Sequence, residues 1–203
     1  MFIWKLLFIR CPYIYRQAYK RIKSNDKKLF LSFDDGPTSE ITDLILNILE
    51  KNNSKATFFC HGKNADYFPE IIEKIKKSGH QIGNHGYSHK NAHKTKKKLW
   101  VEDALKKSIV SESEYFRPPY GKIFPSQFKK LSKKYKIVFW DVLTYDFDKN
   151  LSVENIKQIL KIKVRNGSII VFHDSEKAKD RMLPALEFTI QYFSNLGYEF
   201  CSL

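Results

Sequence analysis

The sequence predicts an α/β fold built on a parallel sheet, either open or closed into a barrel. Three observations predict it. From Lys28 onward, short runs rich in β-branched and aromatic residues alternate with longer segments of helical period. Each short run is almost wholly apolar, as in a strand covered on both faces. Ionisable residues come directly after most of the runs, and in parallel α/β folds the chemistry sits at the carboxyl ends of the strands. The 203 residues, 42% hydrophobic and 15% aromatic, suit one domain with a substantial core and make a long disordered tail unexpected.

Residues 1–27 form a basic, aromatic-rich N-terminal segment, and 28–203 the domain proper. Met1 to Ile9 is apolar apart from Lys5, far short of the ~20 residues a membrane-spanning helix needs. Arg10-Cys11-Pro12-Tyr13 stands next, where a secretory signal would carry small residues, so a cleavable signal is not expected. The segment is read first as a structural extension packing its aromatics on the domain. Its alternative is peripheral contact with an anionic membrane. The expected location is cytoplasmic, with contact at the inner membrane surface as a refinement; secretion or a periplasmic location is less favoured.

Strands are expected at 29–33, 56–60, 81–83, 136–140 and 168–172, where Val, Ile, Phe and Thr are concentrated. Helices are expected at 39–52, 65–78, 95–113, 125–135, 152–165 and 177–196. Ile41, Leu44, Ile45, Ile48 and Leu49 share one face of the first, and Phe68, Ile71, Ile72 and Ile75 one face of the second. Ser152 with Glu154 reads as a helix start, and Gly79, Gly167 and Gly197 as helix stops. Cys11, Cys60 and Cys201 are too few and too widely spaced for a disulfide framework or a zinc ribbon.

The residues at the strand ends are chemically pointed. Asp34-Asp35-Gly36-Pro37 comes after the first strand, Asn84-His85 with His89 after the third, Asp141 and Asp146 after the 136–140 run, and His173-Asp174 after the last; Arg117-Pro118-Pro119-Tyr120 lies ahead of the 136–140 run. Adjacent Asp34 and Asp35 point different ways if strand geometry persists, so one could ligate a metal while the other handles a proton; taken alone, the pair is equally good turn chemistry. Two histidines four apart plus one carboxylate make a facial triad with open positions, the arrangement of catalytic metal sites. His93 reads as exposed and His80, entering a buried strand, as a hydrogen-bonded structural histidine.

In order along the chain, Ser32-Phe33-Asp34-Asp35-Gly36-Pro37, Lys55-Ala56-Thr57-Phe58-Phe59, Gly79 to His85, Arg117-Pro118-Pro119-Tyr120 and His173 resemble the motifs of the polysaccharide deacetylase family, the NodB homology domain of carbohydrate esterase family 4 type. The resemblance covers the chain from about Leu29 to the last helix. It implies a distorted (β/α)-barrel of about seven parallel strands. It also implies Asp34 as catalytic base, oriented by Arg117; Asp35, His85 and His89 as metal ligands; the Tyr120 backbone N–H as an oxyanion donor; and His173 as general acid, oriented by Asp146. Pro119, Tyr120, Phe147 and Val171 would contact substrate. Gly86 stands where the family usually has Ser or Thr, Leu143 where it has Asp, Phe147 where it has Trp, and Val171 where it has Leu. The acyl pocket is therefore expected to differ in size from the usual one.

The residues suit a metal-dependent hydrolase that removes N-acetyl or N-acyl groups from amino sugars of a polysaccharide or saccharide precursor. A divalent metal activates water and polarises the carbonyl, Asp34, kept ionised by Arg117, takes the water proton, and His173 protonates the departing nitrogen. Zinc is the expected ion, with Co2+, Ni2+ and Fe2+ as alternatives. The competing readings are a hydrolase of another non-peptide C–N bond and an impaired saccharide-binding homologue. Net charge is +14, yet 30 of the 36 basic residues are Lys, whereas planar phosphate and base recognition favours Arg. Nucleic acid is therefore not an expected partner, and no obligate protein partner is implied.

Overall fold

A computed structural model describes residues 18–23 and 25–203. The expected N-terminal segment lies outside the described residues over 1–17. The elements run β1 (Lys28–Asp34), α1 (Ser39–Lys51), β2 (Ala56–Cys60), α2 (Gly62–Tyr67), α3 (Pro69–Lys77), β3 (Gln81–Asn84), α4 (Lys97–Ala104), β4 (Tyr115–Phe116), α5 (Pro125–Leu131), β5 (Lys136–Ile137), β6 (Val142–Leu143), α6 (Val153–Lys163), β7 (Ile169–His173), α7 (Lys179–Asn195) and β8 (Glu199–Phe200). Strand order is β5-β4-β3-β2-β1-β7-β6, every pairing parallel, with β8 beside the start of β1. Seven parallel strands curl into a partial barrel flanked by helices, the expected (β/α)-barrel.

Alternation along the central strands builds two different faces. Leu29, Leu31 and Phe33 of β1, with Ala56 and Phe58 of β2 and Ile170 and Phe172 of β7, pack outward on Ile41, Ile45 and Leu49 of α1, Ile72 and Ile75 of α3, Leu160 of α6 and Leu186 and Ile190 of α7. Each such Leu, Ile or Phe side chain, fully buried, contributes about 1.5–3 kcal/mol. The inward face begins apolar with Phe30 of β1 and Ile169 of β7, which cluster with Phe59 and Val138. Higher up the same face it turns polar, with Ser32 and Asp34 on β1 and His173 on β7.

Residues 19–22 run from the end of β5 to the turn before β7 and close the gap in the barrel there. Tyr19 N–H donates to the Ile137 carbonyl (2.9 Å), Phe139 N–H to the Tyr19 carbonyl (2.7 Å), and Ile22 N–H to the Gly167 carbonyl (2.9 Å). A Cβ at Gly167 (φ +79°) would lie 1.7 Å from the Ile22 carbonyl oxygen, so this close approach requires glycine.

The differences from expectation have local causes. The helix expected at 65–78 is two helices, because Pro69 disfavours helical backbone at Phe68 and starts its own helix at the first position. The one expected at 95–113 stops at Ala104; beyond it Ser111 and Ser113 hydroxyls donate to the nearby Ser108 and Tyr115 carbonyls, bonds that compete with a helix. Strand 136–140 ends at Ile137, where Tyr19 takes over the pairing. Two-residue β4, β6 and β8 are too short to show a period. Ser152 opens α6 with Glu154 in the first turn, as expected, its reciprocal cap being made with Asn155, whereas Gly167 lies in the turn before β7 rather than at the stop of α6, which is Val164.

Candidate active site

The carboxyl ends of β1, β2, β3 and β7 meet at one rim, and the loop after β4 reaches it too. Asp34, the last residue of β1, keeps the inward direction of Ser32. Its carboxylate accepts from Arg117 Nη1 at 2.6 Å, and the same nitrogen donates to Ser32 Oγ at 2.9 Å. Arg117 is fully buried, with Nη2 on the Phe139 carbonyl (3.1 Å) and its guanidinium carbon 3.9 Å from the centre of the Phe59 ring. Burial pushes the Asp34 carboxyl above the usual carboxylate range, against the opposing charges of Arg117 and His173. Burial therefore outweighs the guanidinium in setting the direction of the shift, and the same burial makes Asp34 a stronger base.

Asp35 leaves the strand with φ +81°, which turns its side chain away from Arg117 and into a set of imidazoles. Its Oδ1 lies 3.3 Å from His89 Nε2, 3.8 Å from His85 Nε2 and 3.3 Å from His61 Nε2. One ligand atom from each of these four residues lies within 4.8 Å of every other. Burial would raise the Asp35 carboxyl, but the contact with His61 and electrostatic interactions with the surrounding His85 and His173 imidazoles hold it well below the carboxylate range. Burial lowers the pKa of His85 well below that of a free histidine and that of His89 to about 4, so both are neutral and carry a lone pair. His85 Nδ1 is 2.8 Å from the Arg117 carbonyl, which can only accept; Nδ1 therefore carries the proton and Nε2 presents its lone pair to the cluster. Donor chemistry, neutral imidazoles and a fixed tautomer all fit a divalent transition metal.

The histidine loop is held without the hydroxyl that Gly86 lacks. Gly86 N–H donates to Asn84 Oδ1 (2.8 Å), Ser88 N–H to Asp103 Oδ2 (3.1 Å), and the Ser88 hydroxyl to Asp103 Oδ1.

Across the rim, Asp146 is fully buried and grips His173 twice: Oδ2 accepts from the His173 backbone N–H at 2.8 Å and Oδ1 from Nδ1 at 2.7 Å. Burial would lower the His173 pKa, but the Asp146 charge and hydrogen bond, with the charges of Asp34 and Asp35, raise it to about 9. The Phe147 ring stands edge-on to the imidazole, centroids 4.8 Å apart. Tyr120, in a 3-10 turn at φ +60°, is 55% exposed with its ring 4.4 Å from that of His89, whereas Pro119 and Val171 are buried. Asp141, expected at a strand end with Asp146, instead opens β6 at the opposite end of the barrel and pairs with Arg165 at 2.8 Å, because the chain makes two short strands here rather than one. Asp174 is buried beneath the rim, accepting from the Thr38 and Thr42 hydroxyls. His80 accepts from the Ala56 backbone N–H (3.3 Å) and His93 is exposed, both as expected.

His61 is absent from the residues the sequence pointed to, although a signal for it exists: it stands directly after β2, at the carboxyl end of a long strand, where the chemistry of this fold class gathers.

These features coincide with known proteins. The family model for polysaccharide deacetylases matches residues 21–140. A peptidoglycan-N-acetylglucosamine deacetylase of Bacillus cereus is 36% identical over 178 residues, and PgdA, named for the same activity in Listeria monocytogenes, is 30% identical over 189 residues. These alignments cover 80% and 90% of this chain, which spans 64% and 39% of those proteins. A solved peptidoglycan N-acetylglucosamine deacetylase in complex with 4-naphthalen-1-yl-N-oxidanyl-benzamide superposes with a TM-score of 0.87 and 32% identity, covering 95% of this chain and 94% of the other. With the motifs in order, the curled parallel sheet and a family match over more than half its length, the chain belongs to the polysaccharide deacetylase family.

Proposed function

We propose that the protein is a metal-dependent N-deacetylase acting on N-acetylated amino sugars of peptidoglycan or a related saccharide. One observation carries this: a guanidinium-paired carboxylate, Asp34, and a carboxylate-paired imidazolium, His173, share a rim with converging metal donors. Asp35, His85 and His89 would hold the cation. Zinc bound there supplies a Lewis acid that activates water and polarises the amide carbonyl.

The chain's own residues handle the protons. Asp34 accepts one from the attacking water, whose oxygen bonds to the amide carbon. Arg117, buried and anchored at three acceptors, keeps the Asp34 oxygen fixed as its charge falls. The Tyr120 backbone N–H is proposed to face the developing oxyanion. Because Asp146 holds the His173 Nδ1 proton, Nε2 is the atom that protonates the leaving nitrogen when the C–N bond breaks, giving acetate and a free amino sugar. Phe147, packed edge-on beside that imidazole, limits the room for the acyl group.

The names of the relatives support the substrate class. The test is acetate release from N-acetylchitooligosaccharides and from muropeptides. Zinc-loaded protein should release acetate, a chelator should stop it and added zinc restore it, while Asp34→Asn should keep its zinc and release none. Zinc-loaded protein that cleaves small cyclic amides but no N-acetyl sugar would overturn the assignment in favour of another C–N bond; zinc binding with no hydrolysis at all would point to a saccharide-binding homologue.

A further inference from the structure

The metal set described above uses one carboxylate and two imidazoles, yet a third imidazole occupies the same space with no other task. His61 Nε2 is buried and without a hydrogen-bond partner. A buried imidazole nitrogen that completes no hydrogen bond is normally turned to water or given a partner. Although His61 immediately precedes α2, its side chain makes no capping bond to that helix. Instead Nε2 lies 3.3 Å from Asp35 Oδ1, the same separation that His89 shows. Donors about 2.0–2.1 Å from a tetrahedral cation sit about 3.3 Å apart.

The backbone explains why the ring stays there. His61 N–H donates to the Gly36 carbonyl, one residue beyond Asp35, and Gly62 N–H to the Gly86 carbonyl, one residue beyond His85, both at 2.9 Å. His61 is thereby tied to both loops that carry the other donors, and its ring lies parallel to that of His85 with centroids 5.6 Å apart.

We propose that His61 is a fourth protein ligand to the divalent metal, making the donor set three imidazoles and one carboxylate. With four protein ligands, a cation reaches an open position only by taking a fifth ligand or releasing one of the four. The extra imidazole favours zinc and other imidazole-preferring ions over magnesium or calcium, and it holds the ion more tightly than three donors would.

This inference rests on the metal-dependent reading above, and the experiment separates the two. Zinc affinity is measured by chelator competition in wild type, His61→Val, His61→Gln and His93→Ala, and the visible absorption spectrum is recorded after Co2+ loading. Thermal unfolding of each metal-free protein checks that it folds. The expected result is a loss of zinc affinity of about tenfold or more in both His61 variants, a weaker Co2+ visible band as water replaces an imidazole, and no change in His93→Ala. Folded His61 variants with wild-type zinc affinity and an unchanged Co2+ spectrum would overturn the fourth-ligand assignment and leave the three-donor site standing. Wild type that takes up neither ion would overturn both.

Discussion

Replacing Asp146 by Asn removes a charge and one acceptor while leaving the shape of the side chain. In the folded protein the His173 pKa lies at about 9 against 6.5 for a free histidine, with the Asp146 charge and hydrogen bond its two largest raising causes. At about 1.4 kcal/mol per tenfold change in proton affinity, the interval is worth about 3 kcal/mol of preference for the imidazolium. The substituted amide offers one acceptor oxygen where the Asp146 carboxylate offers two, so either the His173 backbone N–H or Nδ1–H loses its partner. Burial, which lowers the pKa, is then opposed only by the more distant Asp34 and Asp35. The expected result is a His173 pKa near or below 6.5, and a high-pH limb of kcat/KM displaced downward by about two pH units. The same shift sets the sign for stability. Because the folded pKa is raised, the contribution is complete below about pH 6.5 and is lost as pH rises through about 9. Wild type and Asp146→Asn should therefore differ most in urea unfolding at pH 6 and converge toward pH 10. An NMR titration of the His173 ring in metal-free protein gives the pKa directly. An unchanged ring pKa in Asp146→Asn, with both pH profiles superimposed on those of wild type, would refute the reasoning.

Two further substitutions probe the scaffold. Arg117→Met leaves the buried Asp34 carboxylate without its guanidinium, and urea unfolding at pH 7 should show a loss of about 3–5 kcal/mol; Arg117→Lys should recover only part of it, since one ammonium cannot span Ser32, Asp34 and the Phe139 carbonyl. Gly167→Ala places a methyl group against the Ile22 carbonyl oxygen, so residues 19–22 should detach from the barrel edge. Amide exchange at Tyr19, Ile22 and Phe139 should accelerate while the β1 and β7 amides stay protected, and equal acceleration throughout would argue against a local clash.

The long strands and amphipathic helices were legible because their patterns extend over many residues: β1, β2 and β7 stand out as apolar runs, and α1 shows its face in Ile41, Ile45 and Leu49. The short strands were not, because β4 exists only as the partner of β3 and β5 and β6 as the partner of β7, and two residues carry no period. Nor could the sequence show Tyr19 pairing with Val138 across the gap beside β5, a contact between residues far apart in the chain. In the site, Asp34, Asp35, His85, His89, Arg117, Asp146 and His173 were readable one by one from position and motif. Their mutual order was not: that Ser88 and Asp103 brace the histidine loop, or that His61 enters the cluster, depends on distances between different loops.

The two adjacent aspartates show how little local sequence difference is needed to divide the chemistry. Asp34 and Asp35 are the same residue type, one peptide apart, and begin with the same carboxylate pKa. Asp34 completes the regular strand and so inherits the inward direction of Ser32, a buried position and a single guanidinium partner. Burial dominates there, and the carboxyl becomes more basic. Asp35 takes a left-handed backbone conformation that is unusual outside glycine and better tolerated by Asp than by most residues. That single rotation brings its carboxylate among His61, His85 and His89, where imidazole contacts and charge outweigh burial and the group becomes more acidic. The opposite displacements accord with the proposed function, in which the group that holds protons poorly takes the cation and the one that holds them well transfers the proton. Gly36 protects the arrangement from the other side, since a Cβ there would lie 2.2 Å from Oδ2 of Asp174, the carboxylate that the Thr38 and Thr42 hydroxyls hold in place. The proposed division of labour would therefore originate in backbone direction at residues 34–36, where that turn sends each carboxylate to different partners.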